Sequence, residues 1–173
     1  HLLGLGHRRI AHIAGPADRD TGRQRRRGYE DALAEAGIAP DPRLVAAGDY
    51  SFDAGRALLA QLWPARPTAV FVGGDVMALG ALRAARDLGL RVPADLSLVA
   101  FGDPDAVRYA TPGVTTVDLP VVAAGRLATE MVLRRVGDGG GEAEAEEVRH
   151  LEPTLLVRET TAPPSPDRTP AGA

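Results

Sequence analysis

An α/β fold, a parallel sheet with helices layered on both faces, follows from three features of this 173-residue sequence. Short apolar runs alternate with longer segments of helical spacing. The first four runs follow one another at steps of about 26 to 33 residues, the length of one strand–helix–strand unit with a right-handed crossover. They are also continuously apolar rather than alternating, as strands covered by helices on both sides are.

The elements can be taken in chain order. IAHIA (10–14) is the first strand. It is followed by a helix that includes YEDALAEAG (29–37), with Gly37 as its C-cap and Pro40 blocking continuation. LVAAG (44–48) is the second strand, and FDAGRALLAQLW (52–63) the second helix, with Asp53 at its N-cap. AVFVGG (69–74) leads into DVMALGALRAARDLG (75–89), where Met77, Leu79, Leu82, Ala85 and Leu88 share a helical face, Asp75 stands at the N-cap and Gly89 and Pro93 end the helix. LSLVAF (96–101) and VTTVDL (114–119) are the next strands. VVAAGRLATEMVLRRV (121–136) reads as a helix opened by Pro120 and closed by Arg134 and Arg135, whose charge suits a helix C-terminus. GDGGGEAEAEE (137–147) is a solvated loop, VRHL and TLLVRE are two short strands, and from Ala162 to Ala173 the composition predicts a disordered tail.

Composition narrows the function. There is no Cys, which removes thiolate catalysis, zinc ribbons and disulfide frameworks. The net charge of −3 argues against a domain that grips a phosphate backbone by itself. All basic residues are Arg, which we assign to genome composition. No apolar run approaches the roughly 20 residues of a membrane span. The first residue is His rather than Met, so a fragment or processed product is expected.

No catalytic motif stands out. GLGHRR (4–9) precedes the first strand, whereas a dinucleotide loop must follow one, and His7 and His12 are not spaced for a shared metal. Asp103 and Asp105 flank Pro104 in a turn. A non-enzymatic protein without cofactor or metal is the expectation.

The carboxyl ends of the strands are the informative region, because ligands of open α/β sheets bind there. The first delivers Arg23, in the first helical turn, where the dipole disfavours a cation and a ligand contact supplies a reason for it. Arg25, Arg26 and Arg27 read as a solvated face. The second strand delivers Asp49 and Tyr50, the third Gly73, Gly74 and Asp75, and the fourth Phe101, Gly102 and Asp103. An Arg fork, an aromatic ring and carboxylates suit a sugar or related polar metabolite, with bidentate contacts to hydroxyls and a ring face for the apolar side. The candidate ligand residues are Arg23, Tyr50, Asp75, Phe101 and Asp103.

Three stretches, HLLGLGHRRIAHIAGP (1–16), GDVMALGALRAARDLGLRVPADLSLVAFGD (74–103) and TPGVTTVDLPVVAAGRLATEMVL (111–133), resemble the effector-binding region of the LacI/GalR family of bacterial transcription regulators, and LEPTLLVRETTAPP resembles its last strand. The resemblance implies a periplasmic-binding-protein-like effector domain over 1–161, mainly the C-terminal lobe, with 118–150 crossing towards an N-terminal lobe. It also implies a cytoplasmic homodimer controlled by a small effector, with operator DNA reached only through a helix-turn-helix headpiece absent from this chain. The family's ligand-contacting Arg maps to Arg23, its stacking aromatic to Tyr50 and its helix-opening acid to Asp75. Gly74, Gly102 and Leu119 stand where the family often has polar ligand contacts, leaving room for a more apolar effector or a wider site. A second reading is a secreted sugar-binding protein of a transport system. The stripe Val121, Ala124, Ala128, Met131 and Val132 predicts self-association of the isolated chain, through itself or through the Met77 to Leu88 helix.

Overall fold

The computed structural model describes residues 1–137 and 148–166. Five parallel strands, β1 (Ile10–Ala14), β2 (Val45–Ala47), β3 (Ala69–Val72), β4 (Ser97–Phe101) and β5 (Thr115–Asp118), and an antiparallel edge strand β6 (Thr154–Leu156) form one sheet in the order β2-β1-β3-β4-β5-β6. Helices α1 (Asp20–Glu35), α2 (Phe52–Leu62) and α3 (Asp75–Asp87) are the crossovers; α4 (Asp105–Arg108) is one short turn and α5 (Val121–Gly137) joins β5 to β6. The chain order reverses between β1 and β3, and this is where a doubly wound sheet opens a crevice.

The larger core lies between the sheet and α2 and α3, around Ile13, Leu59, Val70, Val72, Met77 and Leu98. The two helices approach closely because each offers a glycine: a Cβ on Gly55 would sit 2.0 Å from the Met77 carbonyl oxygen, and one on Gly80 2.0 Å from that of Phe52. This contact alters the expected face of α3. Ala78, Gly80, Ala81 and Ala84 are buried along with Met77, while Leu88 is 40% exposed. The smaller core packs α1 on the other sheet face through Leu2, Ile10, Tyr29, Leu33, Ala69 and Val99. Beyond α1 that face is open among the described residues, as a groove of about 490 Å³ over Phe71, Val99, Val117 and Leu155.

Caps differ in detail from the sequence reading. Ser51, not Asp53, caps α2 by accepting the Ala54 N–H, and Gly74, not Asp75, is the N-cap of α3. In each case the acid sits one or two positions further in, in the first turn, where it still complements the helix dipole. Gly37 and Gly89 end their helices at φ 67° and 70°, in the left-handed region that C-cap glycines supply. Only TLL of the two closing runs forms a strand, and 148–151 runs as irregular chain. At the start of the expected disordered tail, Ala162 is fastened. Its carbonyl accepts the His7 Nε2 and Ser97 Oγ donors at 2.9 Å each, because donors at buried positions need acceptors. Residues 167–173 of that tail, and 138–147 of the acidic loop, lie outside the described residues.

Candidate functional site

The loops after β1, β2, β3 and β4 meet at the carboxyl edge of the sheet. Tyr50 leaves β2 at φ 69°, a left-handed backbone that costs a non-glycine residue about 1–2 kcal/mol. Strain of this kind concentrates at ligand sites. Asp49 holds the turn by accepting the Ser51 N–H at 2.9 Å, and the Tyr50 hydroxyl meets Thr21 Oγ1 of α1 at 3.1 Å. The ring lies against backbone: a Cβ on Gly15 would fall 2.1 Å from the Tyr50 hydroxyl, and one on Gly74 3.0 Å from its ring. Those glycines are therefore the floor under an aromatic platform.

Arg25 of α1 reaches into the same place. Its guanidinium carbon is 3.8 Å from the centroid of the Phe101 ring and 5.8 Å from that of Tyr50, and Nη1 donates to the Gly73 carbonyl at 2.6 Å. Burial lowers its pKa from the ordinary guanidinium value, while Tyr50 and Asp75 nearby favour the charge. Even so shifted, arginine remains a cation at neutral pH. Asp75 opens α3 with Oδ1 accepting the Val76 N–H at 2.9 Å. Gly102, at φ 101°, lies beside it, so that a Cβ there would approach the Asp75 side chain to 3.6 Å. The result is a fixed cation stacked on an aromatic ring, a second ring, and a carboxylate.

Tyr50, Asp75 and Phe101 thus come together as expected, and two other candidates do not join them. Arg23 faces outwards, 57% exposed in its side chain, and donates to the Asp18 carbonyl and the Asp20 carboxylate, both at 3.2 Å. The reason is helical geometry: two residues along α1 is a rotation of about 200°, so Arg23 and Arg25 cannot both face inwards. The inward row is Gly22, Arg25, Tyr29 and Leu33, of which Gly22, Tyr29 and Leu33 are the buried residues of α1. Projecting the apolar spacing of Tyr29 and Leu33 back by four residues would have found Arg25 in the sequence. Asp103 has no exposed side-chain surface and is spent on Arg158 and Arg108, at 2.7 and 2.9 Å. Those two cations hold its carboxyl below the usual range, Arg158 most strongly.

No group of three or more His, Asp or Glu among the described residues is arranged to hold a metal. His7 instead bonds Thr68 and Ala162. His12 is fully buried, stacked between Tyr29 and Phe71 at 4.9 and 4.8 Å, with Nδ1 donating to the Phe71 carbonyl. No described helix is long and apolar enough to cross a membrane.

Comparison with known proteins places the fold. Residues 1–161 match the model of the periplasmic binding protein-like domain. The HTH-type transcriptional repressor PurR of Edwardsiella ictaluri is 40% identical over 164 residues, covering 94% of this chain and 47% of the repressor. The solved complex of the transcriptional regulator CelR with cellobiose is similar with a TM-score of 0.83 and 39% identity, over 92% of this chain and 48% of that one. A dimeric Lac repressor with a C-terminal deletion gives 0.86 and 32%, over 95% and 59%. The chain spans about half the length of the curated relatives it matches.

Proposed function

The chain belongs to the periplasmic-binding-protein-like effector domains of the LacI/GalR family, and from that premise we propose that it is the sensing lobe of a DNA-binding transcriptional regulator, not an enzyme. The observation that carries the site is Arg25, stacked on Phe101 and flanked by Tyr50 at the point where the strand order reverses. The effector is a small polar molecule, of which a sugar is the class we favour. Its flat apolar side lies on Tyr50, while Arg25 and Asp75 take its hydroxyl or carbonyl groups. The similarity to a regulator solved with cellobiose supports this class. Glycines at 74 and 102 and the apolar Leu119 leave the site short of further polar contacts, which favours a ligand with substantial apolar surface.

In this reading a second lobe, beyond these residues, closes over the ligand, and the difference in contacts between open and closed states changes operator affinity. DNA is reached through a headpiece outside this chain, in a cytoplasmic homodimer; similarity to a dimeric Lac repressor supports the dimer. A secreted transport protein is the weaker alternative, since the relatives named above are repressors and regulators. The test is a thermal-shift screen of sugars, polyols and nucleosides on a protein carrying both lobes, followed by operator titration with the best stabiliser. A compound that stabilises the protein and shifts operator affinity supports the proposal. A stabiliser whose binding survives Arg25→Ala unchanged refutes the site.

A further inference from the structure

Asp103 follows the ligand-site residue Phe101 by two positions, yet its carboxylate is turned wholly inwards. Arg158 grips both oxygens, Nη1 to Oδ1 at 2.7 Å and Nη2 to Oδ2 at 2.9 Å. Arg108 adds Nη2 to Oδ2 at 2.9 Å. A forked arginine fixes the orientation of a carboxylate as well as its charge, and removing one partner of a buried pair strands the other.

Three separate parts of the chain meet at this carboxylate. The first is the rim of the ligand site, where the Gly102 N–H donates to the Val117 carbonyl at 2.9 Å and holds the turn beside Asp75. The second is α4, which ends in Arg108 and runs into Tyr109, 73% exposed. The third is the segment leaving β6. There the other Arg158 contacts, Nη1 to the Val114 carbonyl at 2.7 Å and backbone N–H to Thr115 Oγ1 at 2.9 Å, lock it to β5. That segment is the return of the chain from α5.

We propose that Asp103 is a positioning residue rather than a ligand contact: through Arg158 it sets the turn at Gly102, and with it the Phe101 ring under Arg25, while through Arg108 it ties that turn to the exposed helix α4. A shift of the segment returning from α5 then reaches the ligand site and the α4 surface together. The proposal rests on the assignment of Arg25, Phe101 and Tyr50 as the ligand site, but its test needs no ligand.

The guanidinium of Arg25 lies over the Phe101 ring, so the ring current moves the Arg25 Nε–Hε proton resonance upfield. In Asp103→Asn that resonance moves back towards the position of an unstacked arginine. Amide exchange in 102–109 and 154–160 becomes roughly tenfold faster or more, as local opening predicts, with β1, β3, α2 and α3 unchanged. Arg158→Lys, which keeps the charge but loses the fork, gives a smaller shift of the same resonance, and it carries the test if Asp103→Asn does not fold. Arg108→Ala loosens α4 alone and leaves the Arg25 resonance in place. An unmoved Arg25 resonance in folded Asp103→Asn, or in Arg158→Lys where that variant decides, overturns the proposal, as does acceleration spread evenly over the whole sheet. Failure of the ligand assignment has a different signature: no sugar, polyol or nucleoside in the screen perturbs the Arg25 and Tyr50 resonances, although Asp103→Asn still does.

Discussion

Arg23 and Arg25 differ only in which way α1 points them, and that difference gives a direct test. Arg25→Ala removes the half-buried cation of the proposed site; charge-assisted hydrogen bonds of the kind proposed for it are worth about 1.5–3 kcal/mol, so the dissociation constant of the effector found by screening is expected to rise roughly ten- to hundredfold. Arg23→Ala leaves it unchanged; isothermal titration separates the two. His12 offers a second test, through pH. Its pKa is lowered from 6.5 to about 4, chiefly by burial. The unfolded chain therefore binds a proton below pH 6.5 that the native ring refuses until about pH 4. Stability is full above that window and falls as the pH drops through it, on the order of 1.4 kcal/mol per pH unit at the steepest. Burial pushes His7 in the same direction. Urea midpoints measured from pH 7.5 to 4.5 show the decline, and a folded His12→Phe variant has a shallower one.

At the scale of elements, the α2–α3 contact depends on glycine at both crossing points. Gly80→Ala forces a methyl group onto the Phe52 carbonyl; overpacking of this kind costs about 1–3 kcal/mol and lowers the melting temperature by several degrees. Gly89→Ala asks for a left-handed alanine with open space around it, a strain of only about 1–2 kcal/mol. Comparing the two melting curves separates steric from conformational cost. The same reasoning makes Gly15→Ala a site mutation: the added carbon displaces Tyr50, and ligand binding falls more than stability does.

At the scale of the molecule, two apolar surfaces stand uncovered among the described residues. One is the groove beside α1. The other is α5, where Val121, Val122, Val132, Leu133 and Val136 are 60 to 84% exposed. Apolar area on that scale seeks cover, and each aliphatic side chain buried gains about 1.5–3 kcal/mol. The isolated chain is therefore expected to self-associate at high concentration, and the double variant Val122→Asp, Leu133→Asp to sediment as a monomer. Met77, which helical spacing places on an associating face, is fully buried, and Val76, 45% exposed, occupies the surface of α3 instead.

The order of strands and helices was legible in the sequence because burial on both sheet faces writes itself as continuous apolar runs, and IAHIA, AVFV and SLVAF form strands where their pattern places them. The convergence of Tyr50, Asp75 and Phe101 was legible too: Phe101 ends β4, Tyr50 and Asp75 follow β2 and β3 by three residues, and a parallel sheet brings those ends to one edge. The choice between Arg23 and Arg25, and the engagement of Asp103 by Arg158 across 55 residues of chain, were decided by tertiary structure. Which side of a helix faces a crevice depends on how it seats against the sheet, and a salt bridge between distant segments leaves no local periodicity to read.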